Sequence, residues 1–327
     1  MKAAVRSTYG SPDVLELKDV DKPSVGDDGV LVRIRAASLN AADLDYLYGR
    51  PLLTRIGTGF RKPKNLGLGL DAAGEVEAVG KDVIRFKPGD QVFGDLTAFG
   101  YGAFAEYACA PERAWALKPA TMTFEAAATI PQAAILAVQG LRSGTGIKPG
   151  SRVLVNGASG NVGPFALQIA KALGAHVTGV CRTEKVDFVR GLGADEVIDY
   201  TREDYTQGGQ RYDWIVDVAG NRSILKIRHA LRPGGVYVMV GGPTSRIFTA
   251  LFLGPLVSLV GSRKMGLLLW WKPFNPDDLA LLTKLIEDGK LIPVIDRRYP
   301  LEKVVAALRY LDEGRAMGKI VILPSDL

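Results

Sequence analysis

Three glycines, Gly157, Gly160 and Gly163, stand between an apolar run, Val153–Leu154–Val155, and a helical pattern. In that pattern Phe165, Ile169, Ala172 and Leu173 recur at steps of three and four. Gly174 closes the helix, and a second apolar run follows from Val177 to Val180. The whole is a strand–turn–helix–strand unit of about 30 residues, the size of one dinucleotide-binding half. Each glycine has a task in such a unit. Gly157 permits a tight turn off the strand, Gly160 lets the backbone approach a pyrophosphate, and Gly163 lets the helix pack closely on the sheet. The helix start then offers free N–H groups to the anion. The candidate cradle is Gly157, Ala158, Ser159, Gly160, Asn161 and Val162. The spacing GxxGxxG is less familiar than GxGxxG, and an ordinary glycine turn without a ligand is the competing reading. The strand before, helix after and second strand at the right distance favour a cofactor.

The tip of the second strand selects the cofactor. A carboxylate there binds a ribose 2′-hydroxyl, whereas cations bind a 2′-phosphate. The tip here is Cys181–Arg182–Thr183, with Lys185 close behind. Glu184 falls in the first turn of the next helix, where a carboxylate suits the dipole. Arg182 can grip a phosphate through its planar fork and Lys185 can add a point charge, so the pattern predicts NADPH over NADH.

With 327 residues the chain has room for two domains of ordinary size, and 47% apolar residues supply their cores. The charge, 41 − 35 = +6, comes from scattered basic residues rather than a stripe. That argues against nucleic-acid binding and suits an anionic cofactor. Two cysteines, Cys109 and Cys181, are too few for a disulfide framework, and the first residues lack an apolar signal core, so a cytoplasmic setting is expected. With His176 and His229 as the two histidines, no metal-ligand cluster is visible and a zinc site is not expected.

Short strands punctuated by Gly and Pro predict a β-rich domain over residues 1–124, with one short helix from Ala41 to Tyr48. A continuous helix is expected from Phe124 to Gly144. Alternating strands and helices predict a doubly wound parallel sheet across 125–263, inserted into, or following, a separate domain. The oily stretch 247–271 is too short and too broken to span a membrane. It reads as a buried helix and strand at a domain or dimer junction. A wall of an apolar pocket and a peripheral membrane contact are the other readings.

Taken in order, several motifs resemble the medium-chain dehydrogenase/reductase superfamily, in its zinc-free quinone oxidoreductase-like branch. They are Ala37–Ser38–Leu39–Asn40–Ala41–Ala42–Asp43, Gly69–Leu70–Asp71–Ala72–Ala73–Gly74, Lys87–Pro88–Gly89–Asp90–Gln91–Val92, the glycine turn, residues 192–200 and Gly318–Lys319–Ile320–Val321. The resemblance implies an α/β fold, a Rossmann sheet inserted in a GroES-like β-rich catalytic domain to which residues 264–327 return. It also implies a homodimer. Asn40 and Leu70 stand where the zinc-dependent branch has Cys and His, so carbonyl polarisation by a metal is lost. Hydride delivery to a quinone or to the β-carbon of an enal or enone remains.

The resemblance also implies roles for single residues. Asn40 orients the nicotinamide ribose or a substrate oxygen, or caps the helix that starts at Ala41. By position alone, one turn on from Asn40, Tyr46 or Tyr48 is a candidate to donate a proton or hydrogen bond, with ring packing as the other reading. Asp43 and Asp71 are structural. Tyr200 lines the adenine side, Lys185 the 2′-phosphate, and Ala219, Gly241 and Gly242 face the cofactor. Leu136 replaces a threonine common in relatives and makes the inner pocket more apolar. The substrate expected is a small apolar carbonyl or quinone. A zinc-free alcohol dehydrogenase, an enoyl-thioester reductase and a non-catalytic NADPH-sensing protein are the alternatives.

Overall fold

The computed structural model describes residues 1–144, 146–269 and 272–324. The first part of the chain runs β1 (Lys2–Val5), β2 (Glu16–Asp19), β3 (Gly29–Ser38), α1 (Ala41–Tyr48), α2 (Arg55–Thr58), β4 (Asp71–Val79), β5 (Gln91–Asp95), β6 (Tyr107–Pro111), β7 (Trp115–Leu117) and α3 (Phe124–Ala128). The middle adds α4 (Ala133–Arg142), β8 (Arg152–Asn156), α5 (Gly163–Ala172), β9 (His176–Cys181), α6 (Val186–Gly191), β10 (Glu196–Asp199) and β11 (Tyr212–Asp217). It closes with α7 (Ile224–Ala230), β12 (Leu231–Met239), α8 (Thr244–Leu259), β13 (Lys264–Leu267) and α9 (Pro276–Glu287). The last part is β14 (Ile295–Pro300), α10 (Val304–Asp312) and β15 (Lys319–Leu323).

Two compact units result. One joins Met1–Gln132 to Pro293–Leu327, and the other is Ala133–Ile292. The breaks fall later than the expected 124/125 and 263/264. Packing explains both shifts: α3 lies on β3 and β4, while β13 pairs with β12 and α9 packs on α4. The helix expected over 124–144 is broken into α3 and α4. Pro131 has no N–H and disfavours helix in the residue before it, so the ladder stops there.

The first unit is built on a sheet ordered β14-β15-β3-β4-β5-β7, with β6 paired to β3. All its pairings are antiparallel except β14 with β15. The long strand β3 is buried almost throughout because it is flanked on both edges and covered by α3. Trp115, Phe104, Ile34, Leu47 and Ile320 meet in its core. The second unit holds a six-stranded, wholly parallel sheet ordered β10-β9-β8-β11-β12-β13. Its order reverses between β8 and β11, and in such sheets ligands bind outside the carboxyl ends of the strands at that reversal.

The oily stretch forms α8 and β13. α8 buries only Ala250 and Gly254. A Cβ on Gly254 would lie 2.8 Å from the Met265 carbonyl oxygen, so the small face of α8 rides directly on β13. Phe252, Leu256 and Leu259 are thereby turned to the exposed side. Trp270 and Trp271, also part of the stretch, lie outside the described residues. No helix among the described residues is long and apolar enough to cross a membrane.

Trp115 is fully buried whereas Ile84 is 89% exposed. Trp115→Ala is expected to cost about 4 kcal/mol of unfolding free energy in urea titration, and Ile84→Ala to stay within about 0.5 kcal/mol.

Candidate functional site

In the second unit the chain leaves β8 through Gly157, at φ 87°. The N–H groups of Gly157 and Ala158 both donate to the Val180 carbonyl, at 3.1 and 3.0 Å, which locks the turn against β9. Ala158 is fully buried and Ser159 and Val162 nearly so. Ala158 therefore builds the turn with both its methyl and its N–H. The other two glycines divide the remaining work. A Cβ on Gly163 would sit 2.2 Å from the Gly157 carbonyl oxygen, so only glycine fits where α5 begins. A Cβ on Gly160 would meet nothing closer than 3.6 Å. Space is left there on the ligand side, as a backbone approaching a pyrophosphate requires. Gly160 and Asn161 are partly exposed.

At the strand tips, the exposed Arg182 donates from Nε to the Tyr200 hydroxyl at 3.0 Å, which raises the guanidinium pKa further. The two residues assigned to the adenine end are thus brought together. Lys185 is placed differently from expectation: it is buried and engaged within the fold, so the exposed cation at the tip is Arg182. Thr183 donates to the Asp199 carboxylate at 2.6 Å. Asp199 also accepts from the Thr201 hydroxyl at 2.7 Å and lies 3.3 Å from Arg202. The Thr183 hydroxyl does most to hold its pKa below the usual carboxylate value. Asp199 and Arg202 carried no signal of their own in the sequence.

At the sheet reversal, Asn156 and Asp217 are register partners at the ends of β8 and β11. The buried Asp217 carboxylate accepts from Asn156 Nδ2 at 2.7 Å, Gly220 N–H at 2.8 Å, Ala219 N–H at 3.1 Å and the Tyr237 hydroxyl at 3.1 Å. Burial raises its pKa despite those donors. The loop so held meets the other predicted positions. A Cβ on Gly157 would touch the Ala219 Cβ at 3.3 Å, and one on Gly242 would lie 3.0 Å from Gly220 Cα and 3.1 Å from the Ala219 carbonyl oxygen. Gly241 is adjacent, with its Cβ position 3.3 Å from the Val218 carbonyl oxygen. Among the described residues Asn156 Oδ1, which is buried, has no hydrogen-bond partner, leaving an acceptor at the point where a dinucleotide would lie. The residues present fit an NAD(P)H molecule.

The first unit contains a second polar cluster. Asn40 precedes α1 and its backbone N–H donates to Asp43 at 2.7 Å, so Asp43 is structural, as expected. Its side chain is committed elsewhere: Nδ2 donates to Asp71 at 2.9 Å, and Oδ1 accepts from Lys319 Nζ at 2.6 Å. Lys319 also lies 3.6 Å from Asp71, with both side chains at 0% exposure. Burial lowers the Lys319 pKa and raises that of Asp71 to about 7, Lys319 pulling the latter back. The buried pair was missed because Lys319 reads as one member of a strand motif; a lone lysine inside the apolar strand 319–323 was the available signal. Tyr46 packs against Tyr101 with centroids 4.6 Å apart and ring planes tilted by 43°, and burial raises the pKa of both phenols. Tyr48 is not brought to this cluster; its hydroxyl donates to Asp312 at 2.6 Å. Leu136 is half-buried on α4 in the other unit.

Removing one member of a buried pair leaves the other uncompensated. Lys319→Met is expected to lower stability by about 3 kcal/mol in urea unfolding, and adding Asp71→Asn to recover part of it. The pH dependence has a definite sign. Asp71 titrates near 3.8 unfolded and about 7 folded, so between these values the folded state holds the extra proton and its stability falls as pH rises. Asp71→Asn leaves Lys319 without its carboxylate and so costs stability, but its stability should fall less than that of wild type as pH rises from about 4 towards neutral, read by thermal melts across that window.

Among the described residues no group of three His, Cys, Asp or Glu side chains is arranged to hold a metal ion. The alcohol dehydrogenase GroES-like domain profile matches residues 26–121, and the zinc-binding dehydrogenase profile matches 192–322. A quinone-oxidoreductase homolog of Spinacia oleracea chloroplasts is 35% identical, over 99% of this chain and 98% of that protein. The 2-methylene-furan-3-one reductase of Solanum lycopersicum is 34% identical, over 99% of this chain and 79% of that one. The solved quinone oxidoreductase of Coxiella burnetii superposes with a TM-score of 0.85 at 31% identity, covering 99% of both chains. The parallel sheet with its glycine turn, the GroES-like unit and these full-length likenesses agree: the chain is an oxidoreductase of the medium-chain dehydrogenase/reductase superfamily, in the quinone oxidoreductase-like branch.

Proposed function

We propose that this chain is an NADPH-dependent, zinc-independent reductase of quinones or α,β-unsaturated carbonyls. The observation that carries the cofactor choice is the exposed Arg182 guanidinium, hydrogen-bonded to Tyr200 at the tip of β9. There it can take a 2′-phosphate through charge-assisted bonds, while the nearby Asp199 is already occupied by Thr183 and Thr201. Gly157, Gly160 and the first turn of α5 would hold the pyrophosphate. Ala219, Gly241 and Gly242 would line the nicotinamide half, with Asn156 Oδ1 able to accept from a carboxamide.

NADPH, when bound, supplies a hydride to an electron-poor carbon, and a proton from solvent completes a quinol or saturated carbonyl. The chain's part is to orient and to stabilise. Asn40 is fixed by Lys319 and Asp71 in one amide orientation. Zinc independence rests on the residue chemistry. Where relatives of the zinc-dependent branch have Cys and His, this chain has an amide already bonded on both ends and a fully buried Leu70. A Lys319 ammonium within the same cluster opposes a second cation. The relatives named for a quinone and for a methylene-furanone, an alkene conjugated to a ketone, support the substrate class. A homodimer in a reducing cytoplasm, with both cysteines free, belongs to the same reading.

The test is steady-state NADPH oxidation against a panel of quinones, enals and enones. Turnover with at least one class is expected, and none with any would end the proposal. Arg182→Ala should raise the KM for NADPH by roughly tenfold to a hundredfold and leave that for NADH nearly unchanged. Metal analysis after dialysis against chelator should find activity retained with zinc far below stoichiometry.

A further inference from the structure

Between Asp45 and Asp71 the chain has no acidic residue and five basic ones. Within that stretch, a 3₁₀ turn, Leu52–Thr54, runs into α2, and the segment is built inside out. Its polar side chains face the fold. Arg55 donates to the carbonyls of Gly49 and Tyr48 at 2.9 and 3.0 Å and lies over the Tyr9 ring. The Thr54 and Thr58 hydroxyls bond back to Pro51 and Thr54 carbonyls, and the Tyr9 hydroxyl reaches Thr58 and the Gly59 carbonyl. Its apolar side chains face out: Leu52 is 68% exposed, Leu53 59%, Ile56 72% and Phe60 74%. Single exposed leucines are ordinary; four large ones on one short, hydrogen-bonded segment are not.

The charges sit beside them by construction. Lys64 N–H donates to the Thr58 carbonyl at 2.8 Å and Gly59 turns at φ 115°, folding residues 59–64 back along α2. Arg61, Lys62 and Lys64 are exposed there, and Arg50 is exposed at the other end. None of the four forms an ion pair among the described residues, and Asp71, the next acid, is buried. An apolar tip flanked by unpaired cations is the combination that an anionic bilayer surface attracts: the apolar side chains enter the interface while the cations meet the headgroups.

We propose that residues 50–64 adsorb to a bilayer surface carrying anionic lipid, through Leu52, Leu53, Ile56 and Phe60 with Arg61, Lys62 and Lys64. The occupant is a lipid surface rather than a protein because the apolar residues project from tight turns instead of lining a groove, and the charge is of one sign. Each cation near such a surface contributes about a fivefold gain in partition. The placement is independent of which substrate the enzyme reduces.

The test is flotation of the full chain with phosphatidylcholine vesicles, with and without phosphatidylglycerol. Flotation is expected only with phosphatidylglycerol, decreasing as salt rises. Arg61→Glu with Lys62→Glu and Lys64→Glu should reduce partition by about a hundredfold or more. Ile56→Ser with Phe60→Ser should also release the protein, both variants keeping wild-type thermal melts and sedimentation. Absence of flotation with phosphatidylglycerol, or flotation of the charge-reversed variant like wild type, would overturn the proposal. So would a smaller sedimenting species for Ile56→Ser with Phe60→Ser, which would assign the face to a second copy of the chain.

Discussion

One carbonyl oxygen, that of Val180, receives the N–H groups of both Gly157 and Ala158, and the start of the second unit's parallel sheet is arranged about that joint. It bends the chain sharply off β8 while keeping it against β9. Because Ala158 is then buried under the turn, α5 must begin where only Gly163 fits. A helix start leaves its first N–H groups without helical partners, and α5 is the next element after β8, the strand that borders β11 at the reversal of strand order. Asp217 secures the opposite lip by holding Ala219 and Gly220, and its burial is tolerable because four donors surround it.

The GroES-like unit follows another rule. Its sheet is mostly antiparallel, and its polar centre is a lysine–aspartate–asparagine set enclosed between β15, β4 and the start of α1. Such a set adds little net stability compared with a packed apolar core, but it fixes geometry, since each group has few other partners. The amide of Asn40 is held by a cation at one end and a carboxylate at the other. Hydrogen bonds among side chains from three separate segments organise this part of the fold.

Much of this was legible in the residues. The bounds of α1 and α6, the glycine turn and the following strand are local patterns, and local patterns survive folding. What was not legible depended on distant partners. Lys185 looks like Arg182 in the sequence, yet the turn into α6 buries one and exposes the other. Asp199, Asp217 and Lys319 gain meaning only from strands that pair across tens of residues. Tyr101 lies between Gly100 and Gly102, and its contact with Tyr46 needs the fold of the whole unit. The composition of α8 marks it as apolar without saying which side packs; its two small residues decide which side meets β13.

The central claim is that a phosphorylated dinucleotide lies along the carboxyl ends of the parallel strands, from the glycine turn to the Arg182–Tyr200 pair. Hydrogen exchange of the full chain with NADP⁺ and with NAD⁺ tests it directly. The account predicts slowed exchange at 157–163 and 217–220 with both nucleotides, and at 182–185 and 199–202 with NADP⁺ alone. Equal protection of 182–185 by the two, or no protection at 157–163 with either, would contradict it.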